Sequence, residues 1–203
     1  MTAVRRILVC CCAALVSAGA AMAATPVRSL ALKAAQIGPG YVAHVVPGGS
    51  QVRNQVTLDV CKTNYTTEAL RVQRVQLAYA KPGVAVGVSN EVVRYQRGGA
   101  AKAMAEMRAA VSHCPTHPIQ APEAALGFIT YRLTRLHFAG LLPGAIALRV
   151  NAKVTSGSYD SVSIYQSRGD VLSGVYAAGG TFAARKSLAL HAAVQSAKNL
   201  RRD

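Results

Sequence analysis

Tryptophan is absent from this 203-residue chain, phenylalanine occurs only 3 times, and 8 acidic residues face 23 basic ones. With so few large aromatics, a core has to be built from Val, Leu, Ala and the 8 tyrosines. Scarce, scattered carboxylates (Asp59, Glu91, Glu106, Glu123, Asp160, Asp170) leave poor material for a paired acid and base, and neither G-x-S-x-G nor H-E-x-x-H occurs. No repeat, low-complexity linker or charge block divides the chain.

What is present begins at the N-terminus. Arg5-Arg6, an apolar stretch from Ile7 to about Ala20, and Ala21-Met22-Ala23 stand in the order of a charged n-region, an h-region and an A-x-A cleavage site. Residues 1–23 are therefore expected to be a signal peptide and residues 24–203 one secreted domain, with no integral membrane span after cleavage. An uncleaved anchor is the competing reading, because Ile7 to Ala24 approaches the roughly 20 apolar residues that a spanning helix needs. Ser17, Gly19 and the small residues at the end of the stretch favour cleavage. Cys10, Cys11 and Cys12 are read as apolar members of the h-region, since only Ile7, Leu8 and Val9 separate them from the arginines, too few for a lipoprotein signal.

Subtracting those three leaves Cys61 and Cys114 out of 5 cysteines, in a chain bound for an oxidising compartment, where they should pair. Closing that loop stabilises by about 4 kcal/mol in the chain-entropy account. His113-Cys114-Pro115-Thr116-His117 offers neither four zinc ligands at recognisable spacing nor a thiol that stays reduced after export, so no metal, cofactor or catalytic nucleophile is expected.

Without Arg5 and Arg6 the charge balance is 21 basic to 8 acidic residues. Such a domain seeks anions. Outside the cytoplasm these are lipid headgroups and wall polyanions, and the bases form no run longer than two and do not interleave with the tyrosines, so nucleic acid is not an expected partner. A plain solvated basic surface is the alternative reading.

Along the chain, Val27 to Gln36 has helical spacing and Tyr41 to Val46 reads as a strand. Thr66 to Arg71 can form a turn of helix, followed by extended chain over Arg74 to Tyr79 and Val88 to Gln96. Ala100 to Val111 is rich in helix formers, with Met104, Met107, Val111 and Cys114 on one side. Strands are expected over Phe128 to Phe138 and Ile146 to Val154, the second alternating without an error. Val162 to Gln166 and Val171 to Ala177 flank Ser167-Arg168-Gly169-Asp170 as a hairpin. Its Arg-Gly-Asp is better explained by the turn than by adhesion. Thr181 caps a last helix, Ala183 to Leu200, with an inward stripe of Leu190, Val194, Ala197 and Leu200. The fold class is thus α+β, a single domain with an antiparallel β-sheet and helices packed on one face.

Leu58-Asp59-Val60-Cys61, Glu68 to Arg74, Ser89-Asn90-Glu91-Val92-Val93-Arg94-Tyr95, the Ala-rich helix ending in Cys114-Pro115, and Gly169-Asp170-Val171-Leu172 before a closing helix together resemble the PknH-like extracellular sensor domains. Those occur on mycobacterial receptor kinases and in small exported actinobacterial proteins. The resemblance spans most of the chain after residue 23 and implies an antiparallel sheet with flanking helices around a ligand cleft. Kinase sensors of that family carry two disulfides where this chain has one.

On this footing the expected function is a secreted, non-catalytic, sensor-like domain that binds an anionic or amphipathic envelope ligand: an anionic lipid, a glycolipid or a cell-wall fragment. The expected contacts are Arg94 and Tyr95, with Arg74 and Tyr79 on the preceding strand. On a strand, Asn90, Val92 and Arg94 share one face and Glu91, Val93 and Tyr95 the other. For Glu91 and Arg94 the competing reading is an ordinary salt bridge to Arg71, Arg74 or another surface charge. A structural or interaction protein of the envelope, or a hydrolase, are the alternative functions. A cleft lined by Tyr and Val beside Arg would favour the ligand domain, and a filled core with a flat basic face would favour docking.

Overall fold

β-branched residues dominate the middle of the chain, and they form one antiparallel sheet of eight strands in the order β1-β2-β3-β8-β7-β6-β5-β4. The computed structural model describes residues 25–61, 64–121 and 127–203; the expected signal peptide and Glu123 lie outside them. The strands are β1 (Val42–Val45), β2 (Arg71–Ala80), β3 (Gly87–Tyr95), β4 (Ile119–Gln120), β5 (Phe128–Leu136), β6 (Ile146–Val154), β7 (Gly157–Arg168) and β8 (Val171–Ala178). The helices are α1 (Val27–Leu30), α2 (Ala34–Ile37), α3 (Gly99–Ser112) and α4 (Phe182–Leu200), with a 3-10 turn at Thr66–Leu70. The pattern over Val27 to Gln36 thus gives two short turns, because the chain is extended at Ala31.

The α+β class and the single antiparallel sheet agree with the sequence pattern. The helices, however, cover both faces. α4 packs with Val92, Val162, Ile164, Val171 and Val175, whereas α3 packs with Val93, Tyr95, Leu148, Tyr165 and Leu172. Adjacent residues point to opposite faces of a strand, so Val92-Val93, Ile164-Tyr165 and Val171-Leu172 bury both sides of the central strands. A single layer of helices would have left one of those sides in water. Strand β6 is one-sided over its second half, where Val150 and Ala152 are buried and Asn151 and Lys153 exposed, but at its start Ala147 is buried on the expected wet face.

Both long helices seat themselves through particular side chains. α3 buries Ala100, Ala103, Met104 and Met107, and Val111 stays half-buried. α4 is capped by Thr181, whose hydroxyl accepts the amide of Ala184 at 3.2 Å. Its buried residues are Arg185, Ala189, Ala192, Ala193, Ser196, Ala197, Asn199 and Leu200; Leu190 and Val194, expected to point inward, are half-buried flanks. Small residues let this helix lie close on the sheet, so the larger ones move to its sides. The β7–β8 turn is locked by Asp170, whose carboxylate accepts the amide of Gly98 at 2.7 Å, giving the Arg-Gly-Asp turn a structural task at the start of α3.

Cys61 and Cys114 are bonded, with Cα atoms 4.8 Å apart. The bridge joins the segment that leads into the 3-10 turn to the end of α3, as the cysteine count predicts. Among the described residues no helix is long and apolar enough to cross a membrane, and no group of three His, Cys, Asp or Glu is placed to hold a metal ion.

Candidate functional site

An irregularity in β2 builds the site. The β2–β3 register slips between Arg71 and Gln73, leaving Val72 bulged and 47% exposed. That extra residue brings Arg71 and Arg74, three positions apart, to the same face of the sheet, opposite Tyr95 and Val93 respectively. Both reach under the segment 47–60, which runs across this face between β1 and the 3-10 turn. Arg71 donates to the carbonyl of Gln55 at 2.6 Å and to the hydroxyl of Thr57 at 2.9 Å. Arg74 donates to the carbonyl of Gly48 at 3.0 Å and to the side-chain oxygen of Gln76 at 2.8 Å. Gly49 is required where the segment meets β2, since a Cβ there would stand 2.7 Å from the carbonyl oxygen of Gln76.

Glu91 is the centre of the arrangement and is only 2% exposed. One of its oxygens accepts from Nε of Arg74 and from the hydroxyl of Thr57 at 2.8 Å; the other accepts from the phenol of Tyr176 at 3.2 Å. A buried charge is tolerable only when paired and hydrogen-bonded in this way. Tyr176 reaches Glu91 because Gly174, directly across from Glu91 in the register, has no side chain. A Cβ at Gly174 would stand 2.4 Å from the Tyr176 hydroxyl. Burial, with Tyr165 and Glu91 close by, holds the Tyr176 phenol well above its ordinary pKa, which keeps it a hydrogen-bond donor. Its ring meets that of Tyr165 edge to face, with centroids 5.6 Å apart.

Above these groups lies a cavity of about 550 Å³, bounded by Asn54, Gln55, Val56, Thr57 and Asp59 of the crossing segment and by Arg74, Gln76, Ser89, Glu91 and Tyr176 of the sheet. Its lining holds one cation and two carboxylates, a formal charge of −1 inside a strongly basic chain. Glu68 anchors the same segment from outside by accepting the amides of Thr57 and Leu58 at 2.9 and 3.3 Å. Burial raises the Glu68 carboxyl above the ordinary glutamate range, against the lowering effect of those amides and of Arg71.

The four expected contacts do not converge. Arg74 lines the cavity. Tyr79 is buried on the α4 face and donates to the carbonyl of Leu32 at 2.5 Å. Arg94 is on that face too, where it binds the carbonyl of Thr25 at 2.9 Å and the carboxylate of Asp203 at 2.8 Å, clasping both ends of the described chain. Tyr95 is on the cavity's side of the sheet but packs among Tyr65, Met104 and Met107, and its buried hydroxyl has no hydrogen-bond partner among the described residues. The expected split of Asn90, Val92 and Arg94 from Glu91, Val93 and Tyr95 holds. Glu91 does bridge to Arg74, although the pair is buried and not a surface contact. Ser89, Gln76, Tyr176 and the 54–59 segment were not foreseen; the one local signal for them is Gly174-Val175-Tyr176, a strand glycine two residues from a tyrosine.

No protein-family model matches this sequence, and no curated protein matches it. Among solved structures, the chain is similar to the extracellular domain of PknH from Mycobacterium tuberculosis, with a TM-score of 0.53 and 13% identity over 87% of this chain and 95% of that one. It is also similar to a putative uncharacterised protein of Mycobacterium smegmatis, an Rv0999 ortholog, with a TM-score of 0.42 and 10% identity over 83% of this chain and 97% of that one. The likeness to the PknH extracellular domain shows a shared fold.

Proposed function

We propose that this chain is an exported, non-catalytic, sensor-like domain that binds a polar envelope ligand in the cavity beneath segment 54–59. The observation that carries this reading is the cavity itself: one Arg, one Tyr, one Val, two carboxylates and five side chains able to donate and accept (Asn54, Gln55, Thr57, Gln76, Ser89) surround about 550 Å³. A filled core under a flat basic face, the arrangement suited to pure docking, lacks such a space. The fold shared with an extracellular domain and the disulfide fit export.

The lining also narrows the ligand class. Arg74 is already neutralised by Glu91, and Asp59 adds a second carboxylate. A simple anion would meet net repulsion there, whereas a hydroxyl-rich group, such as the saccharide of a glycolipid or wall fragment, would find alternating donors and acceptors. The overall basic charge then draws the domain toward anionic envelope surfaces without filling the cavity.

Hydrolysis is the second reading, because Asp59 and Glu91 share one cavity, as a carboxylate pair would have to. Against it, both Glu91 oxygens are committed to Arg74, Thr57 and Tyr176. Thermal stabilisation by soluble wall saccharides and glycolipids tests the binding reading, with Ser89→Phe, which puts a ring into the cavity, as the control. Stabilisation of the native protein and its loss in Ser89→Phe is the expected result. Turnover of a saccharide that stops in Glu91→Gln would replace this reading with hydrolysis.

A further inference from the structure

A second cavity, of about 610 Å³, lies where β5 and β6 meet the chain leaving α3. Among its lining residues the register forms a tile of four side chains on the face of the sheet turned away from α3: Arg132 opposite Asn151, and Thr130 opposite Lys153. The cations therefore occupy one diagonal and the neutral donors the other. Diagonal partners on adjacent antiparallel strands have Cα atoms roughly 7–8 Å apart, close enough for two long cationic side chains to converge on one tetrahedral oxyanion.

Among the described residues nothing neutralises this diagonal. The cavity lining contains no carboxylate, and among the described residues neither Arg132 nor Lys153 makes an ion pair. Asp160, which lies opposite Asn151 on β7, is held by Arg149 at 2.7 Å and Arg185 at 2.5 Å. Those bonds, chiefly that to Arg149, keep the Asp160 carboxyl below the ordinary aspartate range.

We propose that this tile is a site for a phosphate or phosphodiester group, with the Arg132 fork and the Lys153 ammonium on the oxyanion and Thr130 and Asn151 donating to its remaining oxygens. The site is separate from the saccharide cavity and does not depend on that reading. Two probes distinguish a soluble from a lipid source: glycerol phosphate, and phosphatidylglycerol in phosphatidylcholine vesicles with pure phosphatidylcholine vesicles as the blank. Each is titrated against the native protein, the double variant Arg132→Gln/Lys153→Gln, and a control, Lys198→Gln/Arg202→Gln, that removes the same charge from exposed positions at the end of α4.

Loss of two charge-assisted contacts should weaken binding by about tenfold or more in the first double variant. The control should change it by about twofold or less, as expected for screened surface charge. That pattern with glycerol phosphate assigns a soluble source, and with the vesicles alone a lipid headgroup; backbone amide shifts at Thr130 and Asn151 should accompany it. Equal weakening in both double variants, or binding of neither probe, overturns the site and leaves a solvated basic face. Ser89→Phe should leave phosphate binding unchanged, which separates this result from the fate of the first cavity.

Discussion

The two cavities differ in how their charges are spent. In the first, Arg74 and Glu91 are buried and satisfied by each other and by Thr57, Gln76 and Tyr176, so the charges serve as scaffold and the hydrogen-bonding groups around them are left for a ligand. In the second, Arg132 and Lys153 are exposed and unpaired among the described residues, so the charges themselves are what a ligand would meet. The two are linked: Tyr131, in the lining of the second, donates to the carbonyl of Asp59, in the lining of the first, at 3.1 Å, and the Cys61–Cys114 bridge runs alongside. The net charge of a chain is thus a poor guide to any one site. A chain with 23 bases and 8 acids gathers Asp59, Glu68 and Glu91 around one short segment.

If the first cavity is held by buried charge, breaking the pair should have the largest effect. Glu91→Ala leaves the Arg74 guanidinium buried and unpaired, and should cost about 3–5 kcal/mol in urea unfolding. Arg132→Ala should change stability by less than about 0.5 kcal/mol, since it sits at the surface. Equal costs would erase the distinction between the two regions.

Removing the link between them comes next. Replacing Cys61 and Cys114 by Ser should destabilise by about 2–4 kcal/mol, and reduction of the native protein should reproduce the loss. Gly174→Ala is a narrower probe. Its Cβ displaces the Tyr176 phenol from Glu91, at about 1–3 kcal/mol, and should weaken saccharide binding without altering phosphate binding.

The smallest expected effect is on pH dependence. Glu68 has a raised folded-state pKa, so its contribution to stability is complete below the ordinary glutamate range and is lost as pH rises through the folded value. Between mildly acidic and neutral pH the native protein should therefore lose stability relative to Glu68→Gln. Parallel stability profiles would remove burial of Glu68 as a factor in holding the crossing segment.

Sequence reading captured what depends on local period and on chemistry that acts regardless of geometry. The alternation of Ile146 to Val154 gave β6 to the residue, the methionine spacing gave the buried face of α3, and the cysteine count gave the bridge. It failed where tertiary context decides. The bulge at Val72 puts Arg71 and Arg74 on one face, although strict alternation would separate them. Alanines, which carry almost no hydrophobic signal, form the seat of α4 because closeness to the sheet matters more there than side-chain size. The apolar dipeptides Val92-Val93, Ile164-Tyr165 and Val171-Leu172 did signal burial on both faces, and they contradict a one-sided layer of helices. Nothing local shows that segment 47–60 crosses the sheet, because its anchors, Glu68, Arg71, Arg74 and Glu91, come later in the chain.

The most direct test of the ligand reading is native mass spectrometry of the protein and of Ser89→Phe, each purified from the native host. The account predicts a saccharide-containing adduct on the native protein that is missing from the filled variant. An adduct of the same mass on both proteins, or on neither, would contradict it.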